Sequence, residues 1–481
     1  MCQRHVTIIG RSGTIYLAFP IIQCNFAEIL QRQARKMKDL TSGNEGRLIL
    51  NFAFPMLLGN LFQQLYHVVD SIVVGRHLGT EALAAVGASF PIIFILISLI
   101  VGIASGSTII IAQYFGAKDM DRVRRATDTM FIFLFFASLI VTVAGILLSE
   151  EIFQLLGLPA DVMPQAKTYL NIFLLGTLPS FGYNGVSAVL RGLGDSKTPL
   201  YFLIFSTLLN VGLVILFVIV FEWGIAGAAT ATVVSVTAGF LVAAIYLNRA
   251  HSIIRIRLTN IHFDRTLFLQ SIRIGLPSGL QQTFVSLGMA ALLGIVNRFG
   301  TNVLAGYTVA GRIDSFAAIP SMIFSQALSV FVGQNLGANK PERVRTGFKA
   351  TLFMSLIYSI IVSLVIIFFG RQITGQFTND PEVIRIGSEY LVIISSFYVV
   401  FSTMFTINGV LRGAGDTLVP MFISLFSLWI IRVPVAYILS KHINETGIWW
   451  SIPIGWIIGT AIYYLYYLTG RWRDKVVVEY H

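Results

Sequence analysis

Shifted against itself by about 221 residues, the sequence matches, and a chain built twice is expected to fold as two like halves. VLRGLGDSKTP, Val189 to Pro199, returns as VLRGAGDTLVP, Val410 to Pro420, and QYFGAKDMDRVR, Gln113 to Arg124, returns as QNLGANKPERVR, Gln334 to Arg345. Pro55 pairs with Pro277, Gly79 with Gly300, and Tyr169-Leu170 with Tyr390-Leu391. Both halves consist of apolar runs separated by charge and Gly/Pro clusters. Cutting there predicts twelve spans, at 48–75, 82–115, 125–149, 162–190, 198–221, 224–248, 269–297, 303–335, 346–370, 382–411, 418–439 and 446–470. With 55% hydrophobic and 12% charged residues over 481 positions, no soluble core needs this much apolar material. The fold class is therefore an all-α polytopic membrane protein. Six spans per half is even, so the halves share an orientation and relate by a pseudo-two-fold along the membrane normal, as two six-helix bundles with a cavity between. Pro91, Pro179, Pro320 and Pro434 fall inside spans and are expected kinks.

A net charge of +11 would suggest nucleic acid in a soluble chain, but the basic residues gather in alternate breaks between spans. Lys118, Arg122, Arg124, Arg125, Arg249, Arg255, Arg257, Arg265, Lys340, Arg343, Arg345, Lys349, Arg471, Arg473 and Lys475 share one side; Arg76, Arg298, Arg371 and Lys441 have the other. The charge sets topology, with both termini cytoplasmic. Cys2 and Cys24 precede the first strong span, which leaves no disulfide framework or thiolate metal site. The expected organisation is a dispensable N-terminal extension (1–40, with Met37 an alternative start), a bundle over 41–250, a cytoplasmic linker over 251–268, a second bundle over 269–470 and a cytoplasmic tail over 471–481.

In the first span, Asn60, Gln63, His67, Asp70 and Ser71 recur at helical spacing and form one polar stripe. An ionised Asp at the bilayer centre costs about 2.5 to 3.5 kcal/mol, so the stripe should face a bundle interior or a wet cavity. That reads as a transport or proton-relay site; the competing reading solvates Asp70 at the outer interface.

The paired RG-x-GD loops, the first-span pattern DSIVVGRHLGTEALAAVG and GIAGAATATVVS in the sixth resemble the multidrug and toxic compound extrusion (MATE) transporters, over about residues 41 to 470 and toward the DinF-like or MepA-like prokaryotic branches. The resemblance implies export of amphipathic, usually cationic, compounds in exchange for protons or sodium ions. It further implies that Asp70 is the coupling acid, that Asn210 and Thr232 match the family's fifth-helix Asn and sixth-helix Thr, and that Asn184 is a looser match. Gln63, Tyr66 and His67 would line the same cavity. Val214 stands where members often carry a second acid, which favours proton coupling.

In the second half, Arg312, Asp314 and Arg432 are charges inside spans, and Asp314 and Arg432 are placed to pair, as a static brace or as a second proton switch. Arg191 with Asp195 and Arg412 with Asp416 sit on equivalent loops, and are read either as a cytoplasmic gate paired across the halves or as local caps. No HExxH, GxSxG or GxxxxGK[ST] occurs, so no enzyme chemistry and no cofactor is expected. The reading is a monomeric, multi-pass plasma-membrane antiporter that binds small amphipathic molecules and no nucleic acid. A sodium-coupled antiporter and a lipid-linked saccharide flippase are the alternatives.

Overall fold

Backbone N–H and C=O groups have no partner in hydrocarbon, so an apolar span closes its own hydrogen bonds as a helix. The computed structural model describes residues 39–478 other than 156, 160 and 251–261, and it leaves undescribed the side chains of His67, Leu99 and Ala250. Expectations for residues 1–38 and for most of the linker lie outside the described residues. Twelve spans follow in chain order: α1 (Glu45–His77), α2 (Gly79–Gly116), α3 (Met120–Leu147), α4 (Met163–Leu175 with Thr177–Gly192), α5 (Lys197–Val220), α6 (Gly224–Arg249), α7 (Arg265–Phe299), α8 (Thr301–Gly337), α9 (Pro341–Gly375), α10 (Pro381–Ser395 with Tyr398–Gly413), α11 (Leu418–His442) and α12 (Asn444–Leu468). Each lies within a few residues of its expected position. Positive-φ glycines close the repeated RG-x-GD loops, Gly194 at 81° and Gly415 at 93°, a region that residues with a Cβ avoid.

The sharp bends are not where the prolines predict them. α2 and α8 run through Pro91 and Pro320 as single helices, and Pro434 follows a π-helical turn, Phe426–Arg432, within α11. The two bends, 48° and 51°, fall in α4 and α10 instead. Pro179 lies just past the first of them, and the second has no proline. What the two bends share is a hydroxyl from the preceding helix. Thr142 of α3 donates to the Leu174 carbonyl (3.0 Å), and Ser363 of α9 donates to the Ser395 carbonyl (2.5 Å). Thr142 and Ser363 occupy equivalent positions in the repeat, as do the two carbonyls. A carbonyl freed by a helix break thus keeps a donor, and the break survives in a medium without water.

The halves join at the Lys/Arg-rich end, where α2 meets α8. Gln113 Nε2 donates to the Gly413 carbonyl (3.0 Å) and Gln334 Nε2 to the Gly192 carbonyl (2.9 Å), so each glutamine reaches a helix end in the other half. Their Oε1 atoms accept from the flanking segments, from Val477 N (2.7 Å) and Leu40 N (3.0 Å) respectively. One turn on, a Cβ at Gly116 would overlap the Gln334 carbonyl, and one at Gly337 would overlap the Gln113 carbonyl. Only glycine permits this approach. Arg343 at the start of α9 holds the chain leading into α1, with an ion pair to Glu45 (2.8 Å) and a hydrogen bond to the Gly43 carbonyl (2.8 Å). At this end α1 packs with α8 to α12, and the start of α7 packs with α2 to α6.

Farther along, the pseudo-symmetry fails. α2 and α7 pack backbone to backbone through Gly102 and Gly106 against Gly275 and Gly279. The equivalent positions of α8 and α1 carry Ile323, Ala327, Ala53 and Leu57, side chains that hold the helices apart. Within the second half, Trp449 replaces Ala228 of the first; it is fully buried and stacks on Tyr307 at 5.6 Å.

Gln334→Ala strands two buried groups, the Gly192 carbonyl and the Leu40 N–H, whereas Ser363→Ala strands one. At about 1–3 kcal/mol per unsatisfied buried group, Gln334→Ala is expected to lower the thermal unfolding midpoint in detergent by the larger step. Tryptophan fluorescence measures both, and equal midpoints for the two variants would contradict this account of the contact.

Candidate functional site

The polar stripe of α1 faces the interior over most of its length. Asn60, Gln63 and Tyr66 line a cavity of about 270 Å³ with Ser180, Asn184 and Arg191 of α4, Ser206, Thr207 and Asn210 of α5, and Ser235 of α6. Ile323 and Gln326 of α8 close it from the other half. The cavity lies within the first half, between α1, α4, α5 and α6, with α8 at its edge. Ser71 is exposed, and the stripe ends at Asp70.

Asp70 sits one turn beyond Tyr66, is buried at 7% exposure, and its Oδ1 has no hydrogen-bond partner. That settles the solvated alternative against it. The Tyr66 hydroxyl is 3.0 Å from Thr232 Oγ1, and Asn210 Nδ2 donates to the same oxygen at 3.4 Å. Thr232 in turn donates to the Ala228 carbonyl of its own helix (3.2 Å). The arrangement links α1, α5 and α6 and places Tyr66 and Asn210 on the cavity wall with Thr232 behind them. Asn184 is oriented by donating to the Ser180 carbonyl (2.9 Å). Val214, in the place of a second acid, is buried at 1% exposure. The side chain of His67 lies outside the described residues.

Asp314 and Arg432 attract each other within one buried cluster that includes Tyr307 and Tyr390, but they make no direct contact. Asp314 accepts from the Tyr398 hydroxyl (2.7 Å), not from an arginine; Arg312 is exposed, and Arg432, at the end of the π-helical turn, has a buried Nε without a partner. Among the described residues no ion pair joins Asp314 to Arg432. Tyr398 starts the second segment of α10, so the bend supplies the donor that the sequence reading assigned to Arg432.

The cross-half gate is likewise not formed by ion pairs among the described residues. Asp195 accepts from Lys197 N (3.0 Å), Thr198 N (3.1 Å) and Thr198 Oγ1 (2.5 Å), capping α5. Asp416 accepts from the Tyr466 hydroxyl of α12 (2.5 Å), and Arg412 donates to Ser105 Oγ of α2 (2.6 Å). Arg191 belongs to the last turn of α4 and lines the cavity. Arg412 does reach across to the other half, though to a hydroxyl, and beside it the halves are joined by Gln113 and Gln334, which sequence reading missed as contact residues. Their signal was present in the repeated Q-x-x-G of QYFG and QNLG, where a glutamine and a glycine one turn apart share a helix face.

A duplicated helical bundle, closed at one end and holding a polar cavity with a buried acid beside it, is the architecture of a membrane carrier. The MatE family model matches residues 55–216 and 277–438, one copy in each half, and the chain belongs to that family. It is a transporter and not an enzyme. Among its relatives, the probable multidrug resistance proteins YpnP and YoeA of Bacillus subtilis (strain 168) are 32% and 33% identical; the matches cover 91% and 89% of this chain and 98% and 94% of theirs. A crystal structure of MATE in the straight conformation superposes with a TM-score of 0.85 at 25% identity, covering 91% of this chain and 98% of that one.

Asp195 as a cap rather than a gate has a direct consequence. Asp195→Asn keeps a carbonyl acceptor and is expected to unfold within a few tenths of a kcal/mol of the parent, while Asp195→Ala loses about 1 kcal/mol. Thermal unfolding ranks the two. A folded Asp195→Asn protein that no longer transports would instead mark a paired gate.

Proposed function

We propose that the protein is a proton-coupled antiporter that expels amphipathic organic cations across the cell membrane by alternating access. The observation that carries the reading is Asp70, a buried carboxylate with one oxygen unpartnered, one turn from a polar cavity. Deprotonated, it attracts a cation into the cavity. Protonated from outside, it loses that attraction and the substrate leaves. A sodium ion would need several oxygen ligands to offset its dehydration, and Val214 removes the nearest expected one. A proton needs a single oxygen.

The units that move in this reading are the two bundles, 41–250 and 269–470, with both termini and the Gln113/Gln334 contact on the cytoplasmic side as the Lys/Arg distribution suggests. Opening inward then requires both glutamines to release Gly413 and Gly192. Within the second half, Asp314 with Tyr398 is read as a static brace. The protein acts as a monomer on small molecules.

Purified protein in liposomes, given a proton or a sodium gradient separately, is expected to move ethidium with the proton gradient only. Asp70→Asn is expected to reduce that rate at least tenfold with the fold intact. Ethidium movement driven by sodium and indifferent to protons would overturn the coupling. Tyr66→Phe, which removes a hydroxyl from the Thr232 arrangement, is expected to weaken ethidium binding a few-fold without changing the driving ion, as fluorescence titration at fixed pH reads out.

A further inference from the structure

The Lys/Arg-rich end holds a segment that the antiport reading does not use. α12 is followed by Gly470, whose φ of 71° turns the chain back under the bundle in a conformation that favours glycine. Along the tail that follows, Arg471, Arg473 and Lys475 stay exposed while Trp472 is buried at 2% exposure. The indole stacks on Tyr467 of α12 at 5.6 Å and donates through Nε1 to the Tyr467 carbonyl (3.0 Å), so the start of the tail is fixed to the second half. Val476 packs on the same core, the one that α1 forms with α8 to α12.

The next two residues belong to the other body. Val477 and Val478 pack on the core that α2 to α6 form with the start of α7, and Val477 N donates to Gln113 Oε1 of α2 (2.7 Å). Between these anchors the chain runs over the second RG-x-GD loop, where a Cβ at Gly415 would lie 3.0 Å from the Lys475 carbonyl. The tail thus spans the joint, from an indole seated in one body to a hydrogen bond in the other. The lead into α1 is held differently. Leu40, whose N–H goes to Gln334 of α8, packs on the core to which α8 itself belongs. Separating α2 from α8 would leave Leu40 in place, whereas Val477 would have to leave Gln113.

We infer that the C-terminal tail is a latch on the closure at the Lys/Arg-rich end: Trp472 fixes it to the second half, and Val477 must let go of Gln113 before α2 and α8 part. The inference rests on the alternating-access reading and names a segment, outside every span, that sets how readily the joint opens. Its chemistry suits a reversible hold. One neutral hydrogen bond and two half-buried valines can be exchanged for water, and three cationic side chains keep the freed tail solvated.

The hydrogen bond can be cut alone. Proline has no N–H, and Val476 already has φ −59° and ψ 136°, the extended backbone favoured before a proline. Val477→Pro therefore removes the donor, Val477→Ala keeps it and trims only the packing, and Trp472→Ala frees the opposite anchor. In the full-length chain carrying Cys2→Ser and Cys24→Ser, nitroxides attached at Arg125→Cys and Thr346→Cys report the separation of the bodies by double electron–electron resonance. These are exposed, repeat-equivalent positions near the starts of α3 and α9. Val477→Pro and Trp472→Ala are each expected to raise the share of the longer distance at least threefold over the parent, and Val477→Ala by less than either. An unchanged distribution in Val477→Pro overturns the latch, and so does a Val477→Ala shift as large as that of Val477→Pro. Should Trp472→Ala fail to fold, the two Val477 variants decide alone. The antiport reading fails by a separate readout, the absence of proton-driven ethidium movement by the unmodified protein in liposomes, which the distance measurement does not use.

Discussion

The contact on which the rest of the structure depends is made by two amides. Gln113 and Gln334 each bridge a carbonyl at a helix end in the opposite half and a backbone N–H at one end of the chain. Every polar atom of these buried side chains therefore has work that no apolar residue could do. Because each amide is a neutral group, the contact carries no charge-desolvation penalty of the kind an arginine–aspartate gate would incur. Four hydrogen bonds and two glycine approaches can form and release as a set, which suits a joint between bodies that rock.

Asymmetry built on that symmetric joint gives the protein its site. Glycines let α2 and α7 touch, and Ile323 with Leu57 keeps α8 and α1 from doing the same. Trp449 of the second bundle stands where the first has Ala228, and both are fully buried. The cavity lies in the first half, with Arg191 in its lining and Asp70 one turn beyond its Tyr66 wall.

Much of the fold could be read in advance. The twelve spans, the duplication and the inward course of Asn60, Gln63 and Asp70 followed from periodicity and from the cost of charge in lipid, while Ser71 of the same expected stripe is exposed. The failures have physical causes. Proline was taken as the kink signal, but the bends at Gly176 and Ser396 depend on a hydroxyl donated from the neighbouring helix, a partner that lies 32 residues away in both halves and leaves no local trace. Of the two readings of the loop charges, the local cap holds for Asp195, which found backbone donors two and three residues on, while Asp314 takes its hydrogen bond from Tyr398 rather than from Arg432. Short-range hydrogen bonds win over distant ion pairs when both would pay the same desolvation.

The sequence by itself determined that the chain is a duplicated, membrane-spanning helical bundle with an acid that needs shelter, because apolar length, repeat spacing and buried charge are properties of residues and their order. Only the tertiary structure decided that Gln113 and Gln334 join the halves, that Arg412 reaches Ser105 of the other half rather than an acid, and that Arg191 lines the first-half cavity. Those outcomes turn on whether two backbones can approach and on which donor reaches an acceptor first. Both are distances between residues far apart in the chain, and composition and periodicity carry no information about them.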